Sequence, residues 1–193
     1  MDAFQFLLIM ETILHLFITD TCRHDCPLCC NKLYVIDEIP TVTVSLLKRA
    51  DTVCLTGGEP LSLDPIDFYN FCLELRSQYP NIKNLYVYTS GKELKNHWDT
   101  LKYLTTYKTL SGINVAPKDT EDWDGFVHTY KEFPEFWDNL ESNRLYVFDD
   151  QREAYAKVKP KLAGINAEIL GRKWQQVFNT PDNEYFVRLP ILY

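Results

Sequence analysis

Glycine is scarce in this chain, seven in 193 residues, and only ten prolines accompany it. So little of either excludes collagen-like repeats and Gly/Pro-rich disorder. Positive charge is also short: 20 Lys and Arg stand against 27 Asp and Glu, a net charge of −7. A protein that grips a phosphate backbone normally carries the opposite sign, so bulk nucleic-acid binding is not expected. No apolar run approaches the roughly 20 residues of a membrane span, and no membrane partner is expected. The run at 6–10 stops at Glu11, and the start lacks the basic residues and cleavage site of a signal peptide. The cytoplasm is the expected compartment. Cysteine, finally, is missing from everything after Cys72.

What is present suits one ordinary domain. Apolar residues make up 46% and aromatic residues 14%, and a chain of this length buries roughly 70% of its unfolded surface without disulfides. No repeat or linker divides it. A single domain over 1–193 is expected, with 1–11 as an N-terminal extension and 174–193 as a tail without an assigned element. Phe4, Phe6, Leu8 and Met10 alternate with a period of two, the pattern of a strand. The fold as read needs nothing before Thr12, so residues 1–9 are expected to be dispensable.

Short β-branched or aromatic runs alternate with amphipathic stretches. Strands are expected at 12–19, 52–56, 85–89, 113–116, 144–148 and 167–170. Helices are expected at 42–50, from Asp64-Pro65 to Pro80, at 93–104, over 121–140 with a break at Pro134, and at 152–159. Asp is a good N-cap, and Pro suits a first turn but not a helix interior. Six such alternations imply βα units and an α/β fold with a parallel sheet. A full barrel of eight units needs about 250 residues, so a partial (βα)6 barrel is expected. Ligands then bind at the carboxyl ends of the strands.

Four of the six cysteines fall in nine positions just after the first strand: Cys22, Cys26, Cys29 and Cys30. Bunched cysteines mark a metal loop rather than a disulfide framework. The spacing of Cys22, Cys26 and Cys29 is C-x3-C-x2-C, and three thiolates on one loop suit an iron–sulfur cluster with one iron left open. A four-cysteine zinc site including Cys30 is the alternative, although zinc sites usually draw ligand pairs from two separate knuckles. Cys54 and Cys72 sit in apolar patterns and read as core thiols. His24 is expected at the surface, and His15 in the core or lining a barrel.

Two further features end successive strands: Thr56-Gly57-Gly58-Glu59-Pro60-Leu61 after the second, and Thr89-Ser90-Gly91 after the third. Glycine permits close backbone approach. Together with the cysteine loop they resemble the radical S-adenosylmethionine (SAM) superfamily. The resemblance covers roughly residues 12–118. It implies a partial barrel of radical SAM type that holds a 4Fe-4S cluster on Cys22, Cys26 and Cys29. Gly57, Gly58 and Glu59 would meet the methionine end of SAM, and Ser90 would lie in the turn after the third strand. Asn114 would lie beside the ribose, and Lys118 would be near the carboxylate. Leu28 would cover the adenine, where the superfamily usually has an aromatic residue.

The implied reaction is one-electron cleavage of SAM to methionine and a 5′-deoxyadenosyl radical, which abstracts hydrogen from a substrate. A flavodoxin or ferredoxin would be the electron donor. His24, Pro27 and Asn31 resemble the loop of the anaerobic ribonucleotide reductase activases, which implies a glycyl-radical protein as partner. Against that pattern, Leu28 replaces the usual glycine. The GGEPL stretch and Val115-Ala116-Pro117-Lys118 resemble 7-carboxy-7-deazaguanine synthases instead, which implies a small-molecule substrate. A cluster- or zinc-holding module without catalysis is the third reading.

Overall fold

Seven strands run in one direction through a single sheet. The computed structural model describes residues 11–26, 29, 32, 35–174 and 181–193. The strands are β1 (Ile13–Thr19), β2 (Thr52–Gly57), β3 (Asn84–Thr89), β4 (Gly112–Val115), β5 (Ser142–Phe148), β6 (Glu168–Arg172) and β7 (Glu184–Arg188). Their order is β6-β5-β4-β3-β2-β1-β7, and every pairing is parallel. The α/β class is as the alternation implies, but the count is one strand more than six. β7 comes from the tail, where Pro181, Asp182, Asn183 and Pro190 hide the β-forming run Tyr185-Phe186-Val187. Pairing with β1 supplies what local sequence does not, and Val187 is buried by it.

The helices are α1 (Val44–Leu47), α2 (Pro65–Gln78), α3 (Trp98–Thr106), α4 (Thr120–Glu132), α5 (Pro134–Asn139) and α6 (Arg152–Val158). Asp64 caps α2 by accepting from the Ile66 N–H, and Asp119 caps α4 by accepting from the Asp122 N–H. The helix expected at 93–104 is divided into a 3-10 turn at Lys92–Lys95 and α3. α1 is a single turn, shorter than its apolar pattern suggests. Pro134 separates α4 from α5, as a proline within a helical pattern should.

From β1 to β6 the sheet is wound one way, so right-handed crossovers put the helices on one face. That face carries Leu14, Leu16, Ile18, Val53, Leu55, Leu85, Val87, Ile113, Val115, Leu145 and Val147, all buried in one core with Phe68, Leu101, Trp123 and Trp137 from the helices. Alternation sends His15, Phe17, Cys54, Tyr86, Tyr88, Asn114 and Tyr146 to the other face. Phe17, Cys54, Asn114 and Tyr146 are nevertheless buried. Side chains of this face cover one another: Tyr88 stacks on Tyr146 from two strands away, with ring centroids 6.2 Å apart, and Phe17 meets Phe186 edge-on at 6.1 Å.

Candidate functional site

A one-way parallel sheet gathers the loops that follow its strands at one end. The cysteine loop follows β1, the Gly57-Gly58-Glu59 corner follows β2, the Ser90-Gly91 turn follows β3, and Lys118 follows β4. Cys22, Cys26 and Cys29 are partly exposed, whereas Cys54 and Cys72 are buried. Burial raises the pKa of Cys22 and Cys26 above that of an ordinary thiol, each feels the charge of Cys29, and Lys118 pulls Cys26 back down. A metal must therefore displace protons on binding. Cys54, also raised by burial to about 12, and Cys72, raised further, are inert core thiols as expected. Leu28, Cys30, Pro27, Asn31 and residues 1–9 lie outside the described residues.

The two glycines of the corner have a structural cause. The Gly58 N–H donates to the Thr19 carbonyl at 2.6 Å and the Glu59 N–H to the Thr21 carbonyl at 2.8 Å, so the corner lies on the chain leading into Cys22. A Cβ on Gly57 would lie 2.4 Å from the Thr19 oxygen, and one on Gly58 would lie 2.2 Å from the Thr21 oxygen. Gly57 also has φ +118°, a left-handed conformation that L side chains rarely adopt. The N–H groups of 58 and 59 are thus both engaged within the protein.

Glu59 is buried, and its carboxylate joins two corners. One oxygen accepts from the Leu61 N–H at 3.1 Å and the other from the Ser90 N–H at 2.7 Å. Burial raises its pKa, and these backbone donors oppose the rise. Asn114 is buried on the face opposite the core helices, level with Tyr88 and Arg144 on the neighbouring strands.

Lys118 is held by aromatic rings. Its Nζ lies 3.6 Å from the centre of the Phe148 ring and 4.8 Å from that of Trp174, and the two rings stack at 4.2 Å. Burial lowers the Lys118 pKa to about 8, against the pull of Cys26 and Asp122. Among the described residues no carboxylate lies within 4 Å of this ammonium. A cation desolvated against neutral rings is suited to receive an anionic group.

His24 does not sit at the surface. Its side chain is 9% exposed, with Nε2 3.0 Å from Asp122 and Nδ1 3.7 Å from Asp119. The expectation of exposure failed because Asp122 is distant in sequence and the loop folds onto it. Arg23 makes the same turn, with Nη2 2.8 Å from Asp122 and 3.0 Å from Asp119. His24, Asp119 and Asp122 place ligand atoms within 4.8 Å of one another, but the Arg23 guanidinium already occupies both carboxylates. Sequence reasoning missed Arg23, Asp122, Phe148 and Trp174. The Asp119-x-x-Asp122 spacing signals a helix start, yet nothing in it reveals the loop as its partner.

A scan of protein-family models and a search of curated proteins return no match for this chain. Among the described residues no helix is long and apolar enough to cross a membrane.

Proposed function

We propose that the chain is a radical SAM enzyme, with Cys22, Cys26 and Cys29 as ligands of a 4Fe-4S cluster and SAM bound across the ends of β1 to β4. The observation that carries this reading is the convergence of three partly exposed thiols, the glycine corner and the Lys118 ammonium at one end of a one-way parallel sheet. The donor set fits: three sulfur ligands on one loop suit iron–sulfur ligation and leave a position for an outside ligand. When bound, such a cluster supplies one-electron reductive cleavage of SAM.

The chain's own residues have separable parts. The Gly57-Gly58 corner lies against the methionine end of SAM, and Lys118 receives its carboxylate. Glu59 fixes the Ser90 turn against that corner, and Asn114 faces the ribose. A flavodoxin or ferredoxin supplies the electron. The loop sequence favours an activase of a glycyl-radical protein.

Anaerobic reconstitution tests the reading directly. The protein should hold about four irons per chain. Cys22→Ala, Cys26→Ala and Cys29→Ala should each abolish this, and Cys30→Ala should not. Reduced with dithionite and given SAM, the loaded protein should release 5′-deoxyadenosine. Full iron without that product would leave a cluster-holding module, and an equal need for Cys30 would indicate a closed four-cysteine site.

A further inference from the structure

We propose that Asp122 is the positioning residue of the cysteine loop, the buried carboxylate that sets the attitude of Cys22 and Cys26 before any cluster binds. The inference rests on the reading of Cys22, Cys26 and Cys29 as cluster ligands.

Three residues separate Cys22 from Cys26, and the first two turn away from the thiols toward α4. Arg23 Nη2 donates to Asp122 Oδ1 at 2.8 Å, and His24 Nε2 lies 3.0 Å from Asp122 Oδ2. The Lys118 N–H donates to that same Oδ2 at 2.8 Å. One carboxylate thus joins the loop after β1 to the corner after β4, which carries the Lys118 ammonium. Asp122 is fully buried, whereas Asp119 and Glu121 beside it are partly open to solvent. Their contacts with Arg23 are therefore screened and weak, and the one with Asp122 is not.

Burial would raise the Asp122 pKa, but the adjacent His24 ring, the Lys118 N–H and Ser90 hold it down at about 2. The carboxylate stays charged, and its named partners come from the loop and the two neighbouring corners rather than from the core. Residues 20–26 form no helix or strand. Few backbone bonds hold such a segment, so side-chain anchors decide how often it opens. The x3 spacing then has a use: it places two side chains that reach Asp122, Arg23 and His24, between two ligands.

The test uses the full chain, first metal-free. Asp122→Asn keeps the shape and an acceptor for the Lys118 N–H but removes the charge that holds Arg23 and His24. Cys22 and Cys26 should react with a thiol reagent about tenfold faster or more, the equivalent of losing one charge-assisted hydrogen bond. Cys54 and Cys72 should stay unreactive, which reports that the core is intact. After reconstitution the variant should lose iron to a chelator faster than the wild type, with an altered electron paramagnetic resonance signal of the reduced cluster. Unchanged thiol rates and iron retention would overturn the proposal.

Should Asp122→Asn expose Cys54 and Cys72, Arg23→Met decides in its place, because it removes one anchor from the partly exposed side. A purely structural role would lower its melting temperature and leave thiol rates and the cluster signal alone, which also overturns the proposal. Wild-type protein that binds no iron would overturn the cluster reading instead, and the metal-free thiol rates would still judge the anchor.

Discussion

The two faces of the sheet are built on opposite principles. The helix-covered face is almost wholly aliphatic, from Leu14 in β1 to Val147 in β5. The other face mixes His15, Cys54, Tyr86, Tyr88, Asn114 and Arg144, and the loops that carry the candidate site lie at its end. The first gains stability from area removed from water, which is additive and indifferent to partner. The second depends on specific pairs, such as the Tyr88–Tyr146 stack and the His15–Glu184 contact at 2.7 Å. Area burial and specific pairing are therefore divided between the two faces of the same strands.

The largest effect should come from the aliphatic face. Leu55 is fully buried on β2, an interior strand, and Leu55→Ala should cost about 3 kcal/mol in denaturant unfolding. Iron content and thiol rates of the folded fraction should stay at wild-type values. A large fall in iron content at full folding would mean that the two sides are not separable.

A smaller and pH-dependent effect should come from the site end. Asp122 titrates at about 2 in the folded protein, against an ordinary value of 3.8. A carboxylate with a depressed pKa stabilises the fold above its unfolded value and loses that contribution as pH falls through the folded one. Wild type should exceed Asp122→Asn by about 2 kcal/mol at neutral pH from this linkage, and the gap should close between roughly pH 4 and 2. Unfolding curves at stepped pH would show it. A gap independent of pH would assign the loss to shape rather than charge.

The smallest effect belongs to the mixed polar and aromatic face away from the site. His15 and Glu184 have side chains 15% and 23% exposed. Glu184→Gln should change stability by less than about 1 kcal/mol, as for other partly solvated polar contacts. A larger loss would show that β7 is held to β1 through this pair as well as through its backbone.

Some of this was legible without coordinates. Aliphatic runs with strand periodicity placed β1 to β6, and Asp64-Pro65 and Pro134 marked helix boundaries, because those signals act within a few residues. β7 was hidden because the run 185–187 is too short to outweigh the prolines near it, and only its pairing with β1 makes it a strand. Cys22, Cys26 and Cys29 were recognisable by spacing on one loop. Phe148 and Trp174 were not, since two aromatic residues 26 positions apart announce nothing until β5 and β6 bring them to Lys118.

The sequence by itself determined the α/β alternation, the clustered thiols and the glycine corner, all properties of short spans with their own steric or chemical signature. Only the tertiary structure decided what those pieces face. It seated the corner on the chain entering Cys22, turned both Glu59 oxygens to backbone N–H groups, and buried Asp122 against Arg23 and His24 from 98 and more positions away. A charge pair across such a separation leaves no mark in local pattern, because it exists only once parallel crossovers have stacked the strand ends side by side.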